Sequence, residues 1–390
     1  MDWDEKEALE LGKIVTFVPN KKLPIYNWLY FKEGFSRDFV FMMLEKFNIK
    51  QGNLVLDPFC GSGTTLLACK EKGIDSIGFD VLPIAVFASR VKTRDYDIEK
   101  LKLHAKQLLK AKFKRLPIPK ELLKFFSIYT LEDAIFFKNE IMKIEDLSTR
   151  EFFLLALINA SIKCSYIYKD GGSLKVRKKP VAPLRDMLRR QIYRMIKDLQ
   201  LKHQKRDCKV IVDYGDARKL DIEDSCIDAI ITSPPYLNKI EYTKVYAIEQ
   251  ELFLKEEMKR GISSIRSFIG QRIKPEIKLL EDAEKAINNE MKEKIEKLPQ
   301  AIAYANDIYL AIKEMYRVAK ENAKIAIVIG DGVFVEEEVV INASNLLNSI
   351  ASYIGYEIKK TLVVNKRIFT TPERRKKGII KEYILIWEKL

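Results

Sequence analysis

The stretch Leu54-Val55-Leu56-Asp57-Pro58-Phe59-Cys60-Gly61-Ser62-Gly63-Thr64-Thr65 decides how the rest of the chain is interpreted. Its short apolar run predicts a buried strand that ends at an acidic residue. Two glycines follow, in a turn that lets the backbone approach a ligand closely because no Cβ intervenes. Residues 66–70 then predict a helix, whose open N–H groups favour a polar or anionic ligand group. The pattern suits a nucleotide-like ligand, and the residues at fixed distances downstream decide whether it has one.

A second predicted strand, residues 76–80, ends in Asp80, which lies 17 residues beyond Gly63. In doubly wound α/β folds an acid at this position hydrogen-bonds ribose hydroxyls. A helix N-cap is the alternative role for Asp80, because Pro83 and an alanine-rich run follow, and the two roles are compatible. Upstream of the glycine turn, Ser36 is predicted to cap a helix with one apolar face. Residues 1–20 indicate little.

The third element is Thr232-Ser233-Pro234-Pro235-Tyr236, which follows a predicted buried strand over residues 227–231. Two consecutive prolines fix an extended backbone and remove two N–H donors. Carbonyl groups are therefore expected to point outward at the carboxyl end of the sheet, where ligands of such folds bind. This turn suits a flat substrate with an amino group. Its carbonyl and the Ser233 oxygen can accept the amino hydrogens, and the Tyr236 ring can stack on the substrate face.

Positive charge is concentrated in two segments of a chain whose formal net charge is +14. Residues 163–206 contain 14 basic and 3 acidic residues, and residues 359–381 contain 9 basic residues and 1 acidic residue. Such clustering favours a polyanionic partner, and an ordinary basic surface is the alternative. Residues 169–180 are predicted to form a basic loop, and residues 184–199 a helix with one apolar stripe. The candidate phosphate-binding residues are Lys175, Arg177, Lys178, Lys179, Arg185, Arg189 and Arg190.

Several classes of protein are disfavoured. The five cysteines are scattered and there are only two histidines, so neither a metal site nor a disulfide framework is predicted. The acidic N-terminus does not resemble a signal peptide, and no apolar run approaches the length of a membrane span. We therefore expect a cytoplasmic protein without a membrane partner. The sequence leaves its oligomeric state open.

In this order, Asp57-Pro58-Phe59-Cys60-Gly61-Ser62-Gly63-Thr64 and Ser233-Pro234-Pro235-Tyr236 resemble the cofactor and catalytic motifs of the S-adenosylmethionine-dependent amino-methyltransferases. These enzymes, the N4-cytosine and N6-adenine DNA methylases, modify exocyclic amines of bases. The resemblance covers residues 27–94, 207–254 and 301–390. It implies an α/β fold: a Rossmann-like class I methyltransferase sheet with a terminal antiparallel hairpin, plus a helical insertion.

The resemblance also implies a division of the chain and a role for each motif. Residues 1–94 would form the cofactor-binding half, 95–206 a basic helical insertion, 207–254 the catalytic half, 255–300 a helical excursion, and 301–390 the last part of the sheet. Asp80 would bind the ribose of S-adenosylmethionine and Asp216 its adenine amino group. The implied cofactor-binding residues are Phe35, Ser36, Asp57, Pro58, Phe59, Cys60, Gly61, Gly63, Thr64, Asp80 and Asp216. The implied catalytic residues, which would hold a flipped base, are Ser233, Pro234, Pro235 and Tyr236.

The expected reaction is direct transfer of a methyl group to the exocyclic amine of a flipped base in DNA. A serine at the first catalytic position goes more often with N4 of cytosine in this family, so cytosine is favoured over N6 of adenine. Carbon-5 methylation of cytosine needs a cysteine after a proline, and the chain contains no such dipeptide. RNA is the rival substrate, because its single-stranded loops offer unstacked bases. A non-catalytic nucleic-acid-binding protein is the remote alternative.

Overall fold

The computed structural model describes residues 3–31, 34–170, 173–202, 207–237, 242–260, 276–334, 337–370 and 376–390. Strands and helices are each numbered in chain order. The strands are β1 (Glu5–Glu7), β2 (Leu54–Asp57), β3 (Asp75–Asp80), β4 (Ile167–Asp170), β5 (Ser173–Val176), β6 (Val210–Tyr214), β7 (Ile227–Thr232), β8 (Ala319–Gly330), β9 (Gly332–Phe334), β10 (Val339–Ile341), β11 (Tyr356–Thr370) and β12 (Lys376–Lys389). The helices are α1 (Arg37–Lys46), α2 (Thr64–Lys72), α3 (Pro83–Thr93), α4 (Ile98–Lys110), α5 (Ile128–Met142), α6 (Leu147–Lys163), α7 (Leu184–Lys202), α8 (Tyr242–Val245), α9 (Ala247–Phe253), α10 (Lys255–Arg260), α11 (Glu281–Ala286), α12 (Asn289–Glu296), α13 (Pro299–Val318) and α14 (Ala343–Ile354).

The central sheet has the order β1-β11-β12-β8-β7-β2-β3-β6. The neighbours from β8 to β6 pair in parallel, whereas β12 pairs antiparallel with both β8 and β11. The order reverses between β2 and β7, and ligands of doubly wound sheets bind at such a switch point. The predicted α/β sheet with a terminal antiparallel hairpin is therefore confirmed.

Local sequence explains the elements around the switch point. In β7, Ile227 and residues 229–231 are all buried, as expected for a parallel strand covered on both faces. Gly63 and Gly73, with φ of 78° and 71°, bound α2 at its two ends in the left-handed region that glycine favours. The Ser36 side chain accepts a hydrogen bond from the Phe39 backbone N–H at 3.3 Å, so the predicted cap of α1 is confirmed.

The helices of the predicted insertion, α4 to α7, pack on α3 and on the segment Tyr26–Trp28 through a shared hydrophobic core. Buried residues of α4 to α7 belong to one cluster with α3 and with the segment Tyr26–Trp28. The Trp28 indole N–H donates to the Asp198 carboxylate of α7 at 2.9 Å. This hydrogen bond connects the segment Tyr26–Trp28 to the insertion. The helices predicted in the insertion are present. Helix α5 begins at Ile128, because the Ser127 side chain caps it.

The structure corrects the prediction of a loop over residues 169–180. Strands β4 and β5 pair antiparallel, with Ile167 opposite Val176 and Tyr168 opposite Lys175, and Ile167 is buried. A short two-stranded sheet forms here because one apolar side chain reaches the core of the insertion while its neighbours remain exposed. The two glycines at 171 and 172 lie outside the described residues.

Two other segments differ from the sequence-based expectations. Residues 1–20, which indicated little, include β1, a parallel edge strand beside β11. In the second excursion, residues 255–260, 281–286 and 289–296 form helices, whereas residues 261–275, which include the basic stretch 266–272, lie outside the described residues. Within the described ranges, no helix combines the length and the apolar character that a membrane span requires. The same ranges contain no grouping of histidine, cysteine and acidic side chains suited to a metal ion.

Candidate active site

A cleft of about 940 Å³ lies at the carboxyl ends of β2, β3, β6 and β7. It brings together most of the residues that the sequence motifs singled out. From the predicted cofactor set it is lined by Phe35, Asp57, Pro58, Phe59, Cys60, Gly61, Thr64, Asp80 and Asp216, and from the predicted catalytic set by Ser233 and Pro235. Ser36, Gly63, Pro234 and Tyr236 do not line this cleft. Ser36 and Gly63 are the N-caps of α1 and α2.

The glycine turn leaves no room for a Cβ. Gly61 has a φ of +51°, and a Cβ there would lie 2.9 Å from the Phe31 ring. Gly63 has a φ of +78°, and its Cβ would lie 2.7 Å from the Ser89 hydroxyl oxygen. The same hydroxyl donates to the Gly61 carbonyl at 2.8 Å and so fixes the turn from below. The turn therefore presents bare backbone to the cleft.

Two buried side chains that the sequence analysis missed also support this turn. The Lys92 ammonium group donates to the Ser62 carbonyl at 3.1 Å, and burial lowers the pKa of Lys92 to about 7. The Asn20 amide N–H group donates to the Phe35 carbonyl at 3.1 Å, and the Asn20 amide oxygen accepts from the Arg37 backbone N–H at 2.9 Å. Asn20 thereby joins the N-terminal segment to the wall of the cleft.

Asp57 links the two strands at the switch point. Its carboxylate accepts hydrogen bonds from the hydroxyls of Thr65 at 2.7 Å and Thr232 at 2.6 Å, and from the Phe59 backbone N–H at 3.2 Å. Burial raises the pKa of Asp57 to about 6, and these hydrogen bonds oppose the rise. The residue therefore holds the end of β2 against the end of β7, directly below the cleft.

Asp80 holds the glycine turn against the end of β3. One carboxylate oxygen accepts from the Gly61 backbone N–H and the other from the Leu82 backbone N–H, both at 2.9 Å. Burial raises the pKa of Asp80, and the backbone hydrogen bonds oppose the rise. The N-cap of α3 is Leu82, so the alternative role of Asp80 as that N-cap is wrong. Each oxygen keeps a second lone pair, so the carboxylate can still accept from a ligand in the cleft.

Asp216 is engaged by an arginine that the sequence analysis did not single out. The Arg218 guanidinium donates to both Asp216 oxygens, from Nε at 2.9 Å and from Nη2 at 2.6 Å. Its Nη1 donates to the Asp307 carboxylate of α13 at 2.7 Å. These hydrogen bonds raise the pKa of Arg218, and Arg218 also lines the cleft. Arg218 therefore competes for the carboxylate oxygens with which Asp216 was expected to bind an adenine amino group.

The segment after β7 faces two cavities. The Ser233 hydroxyl lies in the first cleft and donates to the Val328 carbonyl of β8 at 2.9 Å, so its lone pairs remain available as acceptors. Tyr236 is buried and borders a second cavity of about 590 Å³, between β7, β8 and the terminal hairpin. Its hydroxyl donates to the Glu382 carboxylate at 2.8 Å.

Aromatic rings close the first cleft on the side of the insertion. The Phe31 ring stacks on Tyr242 at a centroid distance of 5.7 Å and on Tyr246 at 5.2 Å, and Tyr242 and Phe31 both line the cleft. Helix α8, which carries Tyr242, packs against β5. The Lys169 ammonium of β4 lies 3.7 Å from the centre of the Tyr246 ring. The β4–β5 hairpin therefore sits beside the entrance of the cleft.

The predicted phosphate-binding residues fall into two groups. One group is exposed: Lys175, Arg177, Lys178, Lys179, Arg189 and Arg190. Arg185 is only partly exposed. It donates to the Asp133 carboxylate at 3.2 Å and lies over the Phe137 ring, 5.0 Å from the ring centre. These contacts pack Arg185 into the insertion, and its role in phosphate binding stays a prediction.

Two features fit S-adenosylmethionine: the bare backbone of the glycine turn, and Asp80 at the end of β3. The turn after β7, where Ser233 and the prolines offer hydrogen-bond acceptors, fits an amine substrate. A doubly wound sheet with these features is that of a class I S-adenosylmethionine-dependent methyltransferase. The family model N6_N4_Mtase, described as DNA methylase, matches residues 30–86. Over these residues the chain is similar to the N4/N6 DNA methylases.

Known proteins resemble this chain over most of its length. It is 29% identical to the Type II methyltransferase M.BsoBI of Geobacillus stearothermophilus, over 97% of this chain and 88% of that protein. It is 26% identical to the Type II methyltransferase M.AvaI of Nostoc sp., over 90% of this chain and 83% of that protein. A solved S-adenosylmethionine-dependent methyltransferase from Methanosarcina mazei is 11% identical, covers 89% of this chain and 97% of its own, and has a TM-score of 0.33.

Proposed function

We propose that this protein methylates the exocyclic amine of a base in DNA, that the base is cytosine and the atom N4, and that the base is flipped into the site for direct transfer. The hydrogen bond from the Ser233 hydroxyl to the Val328 carbonyl is the observation that carries the proposal. Because that hydroxyl donates its hydrogen to the Val328 carbonyl, only its lone pairs are available to a substrate. Together with two prolines that lack N–H groups, it gives the turn acceptors for the hydrogens of an amine.

Acceptors of this kind address the weakness of the nucleophile. The lone pair of an aromatic amine is delocalised into the ring, so the amine reacts poorly. When the Ser233 oxygen and the Pro234 carbonyl both accept amine hydrogens, the nitrogen becomes more pyramidal and its lone pair is directed towards the cleft. No covalent intermediate with the protein is needed. Bound S-adenosylmethionine would supply an electrophilic methyl group.

The cofactor is proposed to lie in the first cleft. The Gly61–Gly63 turn would wrap its methionine part, with Phe35 completing that pocket. Asp80 would accept from the ribose hydroxyls, and Asp216 from the adenine amino group. The cradle around Gly61, which a Cβ would fill, supports a ligand in close contact with backbone.

The preference for cytosine over adenine rests on Ser233 at the first catalytic position, because serine there is more common among the N4-cytosine enzymes of the family. A base inside a duplex cannot reach Ser233, so the target must be extruded at a cost of a few kcal/mol. Tyr236 is proposed to offer its ring as the stacking surface for the extruded base.

DNA is favoured as the polymer because the family model that matches residues 30–86 is described as DNA methylase, and because the similar relatives are Type II methyltransferases. The basic residues of the insertion are proposed to hold its phosphates. The exposed residues Arg177, Lys178 and Lys179 directly follow β5, and β5 packs against α8 at the entrance of the cleft. Phosphate contacts there would position the duplex, whereas base contacts would select the sequence.

Methyl transfer from labelled cofactor tests the proposal. Wild-type protein and the Ser233→Ala variant are incubated separately with mixed-sequence duplex DNA and with total RNA. We expect label in DNA with the wild type and at least a hundredfold less with the variant, because a serine acceptor in the transition state is lost. Label in RNA alone would overturn the assignment of the polymer. Equal transfer by the variant would overturn the proposed role of Ser233.

A further inference from the structure

Tyr236 is held by a hydrogen-bonded chain that begins outside the catalytic segment. Its hydroxyl donates to Glu382 Oε1 at 2.8 Å, and Glu382 is 8% exposed. The other carboxylate oxygen of Glu382 accepts from the Asn365 amide N–H group at 2.6 Å. Asn365 and Glu382 are directly opposite each other on β11 and β12, so both side chains point to the same face of the hairpin.

The far end of this chain is anchored as well. The Asn365 amide also donates to the Gly12 carbonyl at 3.3 Å. A Cβ at Gly12 would lie 2.6 Å from the Val364 carbonyl oxygen, so the N-terminal segment presses closely on β11 at this point. The carboxylate of Glu382 is therefore fixed by residues that belong to neither motif of the active site.

The Tyr236 ring is confined on a second side by a glycine. Gly330, at the end of β8, is directly opposite Glu382, and a Cβ there would lie 2.9 Å from the ring. A glycine at this position leaves the space beside the backbone of β8 that the Tyr236 ring occupies. The Tyr236 side chain is therefore restrained at two places: its hydroxyl is bound by Glu382, and its ring is confined by Gly330.

We infer that Glu382 is a positioning residue for methylation: it orients the Tyr236 ring as a rigid platform for the target base, and Asn365 orients Glu382. This inference rests on the proposed function, in which Tyr236 stacks on an extruded base. A platform set in advance reduces the ordering that must accompany base binding, and a small misplacement of a reactive amine costs rate. The effect of Glu382 must therefore pass through the Tyr236 hydroxyl.

The test is a double-mutant cycle on steady-state methylation of duplex DNA, with the variants Glu382→Ala, Tyr236→Phe and the two combined. We expect each single variant to lower kcat about tenfold, because one charge-assisted hydrogen bond is lost. The double variant should be no slower than the slower single variant, within about twofold, because both changes break the same bond. The KM for S-adenosylmethionine should stay unchanged, because Glu382 borders the second cavity and not the first cleft.

Two further variants separate positioning from folding. Glu382→Gln keeps an oxygen that can accept from the phenol and should restore kcat to within about threefold of wild type. Glu388→Gln, at the other end of β12 and ion-paired with Lys359, is the matched control and should leave kcat unchanged. If Glu382→Ala does not fold, the kcat of Glu382→Gln still tests the inference, because glutamine keeps the acceptor for the Tyr236 hydroxyl.

The outcomes are distinct. An active wild type in which the two single effects multiply in the double variant, or in which Glu382→Ala leaves kcat unchanged, overturns the inference alone. A wild type that binds S-adenosylmethionine but methylates no DNA overturns the proposed function and the inference with it.

Discussion

Replacing Gly63 by alanine should damage the cofactor site more than the same change at Gly73. Both glycines flank α2, and their φ values, 78° and 71°, are nearly the same. Backbone strain should therefore lower the free energy of unfolding by a similar amount in each alanine variant, about 1–2 kcal/mol for a side chain in the left-handed region. What differs is the space around the new methyl group.

At Gly63 a Cβ would lie 2.7 Å from the Ser89 hydroxyl oxygen and 3.1 Å from the Ser89 Cα, whereas at Gly73 nothing lies within 4 Å. Because the backbone of α3 must move at Gly63, crowding should add about 1–3 kcal/mol there. Ser89 also donates to the Gly61 carbonyl, so its displacement should distort the turn.

Urea unfolding and calorimetric binding of S-adenosylmethionine measure the two effects. We expect Gly63→Ala to lower the free energy of unfolding by about 2–5 kcal/mol and Gly73→Ala by about 1–2 kcal/mol. Only Gly63→Ala should weaken cofactor binding, by tenfold or more. Equal losses in the two variants, with cofactor affinity intact in both, would refute the argument from crowding.

Three further predictions concern charge. Burial raises the pKa of Asp57 to about 6, so between about pH 4 and pH 6 the folded protein keeps a proton that the unfolded chain releases. The free energy of unfolding of the wild type should therefore fall as the pH rises through this range. Urea unfolding should show Asp57→Asn gaining about 3 kcal/mol relative to wild type across that range, and a constant difference would contradict the assignment. The combined change Arg177→Glu, Lys178→Glu and Lys179→Glu should weaken DNA binding and flatten its dependence on salt in fluorescence anisotropy titrations, and an unchanged slope would remove this segment from the interface. Arg185→Ala should instead lower thermal stability and leave the salt slope unchanged, because Arg185 is committed to Asp133 and the Phe137 ring; a flattened slope would return it to the DNA surface.

Local patterns in the sequence were enough to predict the central sheet and most of the first cleft. Several features depend only on residues that are close in the sequence, so a local pattern predicts them. They are the glycine turn at 61 and 63, the helix cap at Ser36 and the apolar strand before Ser233. The parallel order of the strands then brings their carboxyl ends to one edge. That is why residues 57, 80 and 233, far apart in the chain, could be predicted to share a site, whereas the role of Asp216 was implied by the resemblance to the amino-methyltransferases.

The supporting side chains could not be predicted in this way. Asn20, Arg218 and Glu382 contact partners on other elements, and in the sequence each resembles an ordinary polar residue. Lys92 lies within α3, where a lysine usually faces water, and only the fold reveals that its ammonium group lies under the glycine turn. Such contacts depend on how the elements pack, which no short stretch encodes.

The β4–β5 hairpin was missed although its sequence contains a signal for it. Residues 173–176 alternate between polar and apolar side chains, and a glycine pair before such a run, here Gly171-Gly172, is typical of a β-hairpin. Surrounding lysines and the later proline favoured a loop instead. Arg185 was grouped with its basic neighbours for a similar reason, because charge alone does not distinguish an exposed arginine from one that packs on aromatic rings.

The central claim is that an acceptor-only turn at Ser233 directs methylation to an exocyclic amine. Mass spectrometry of nucleosides from duplex DNA methylated by the purified protein tests it most directly. The account predicts N4-methylcytosine. N6-methyladenine would preserve the chemistry of the site and change the base, whereas 5-methylcytosine would contradict the account, because carbon methylation requires a nucleophile that the turn does not supply.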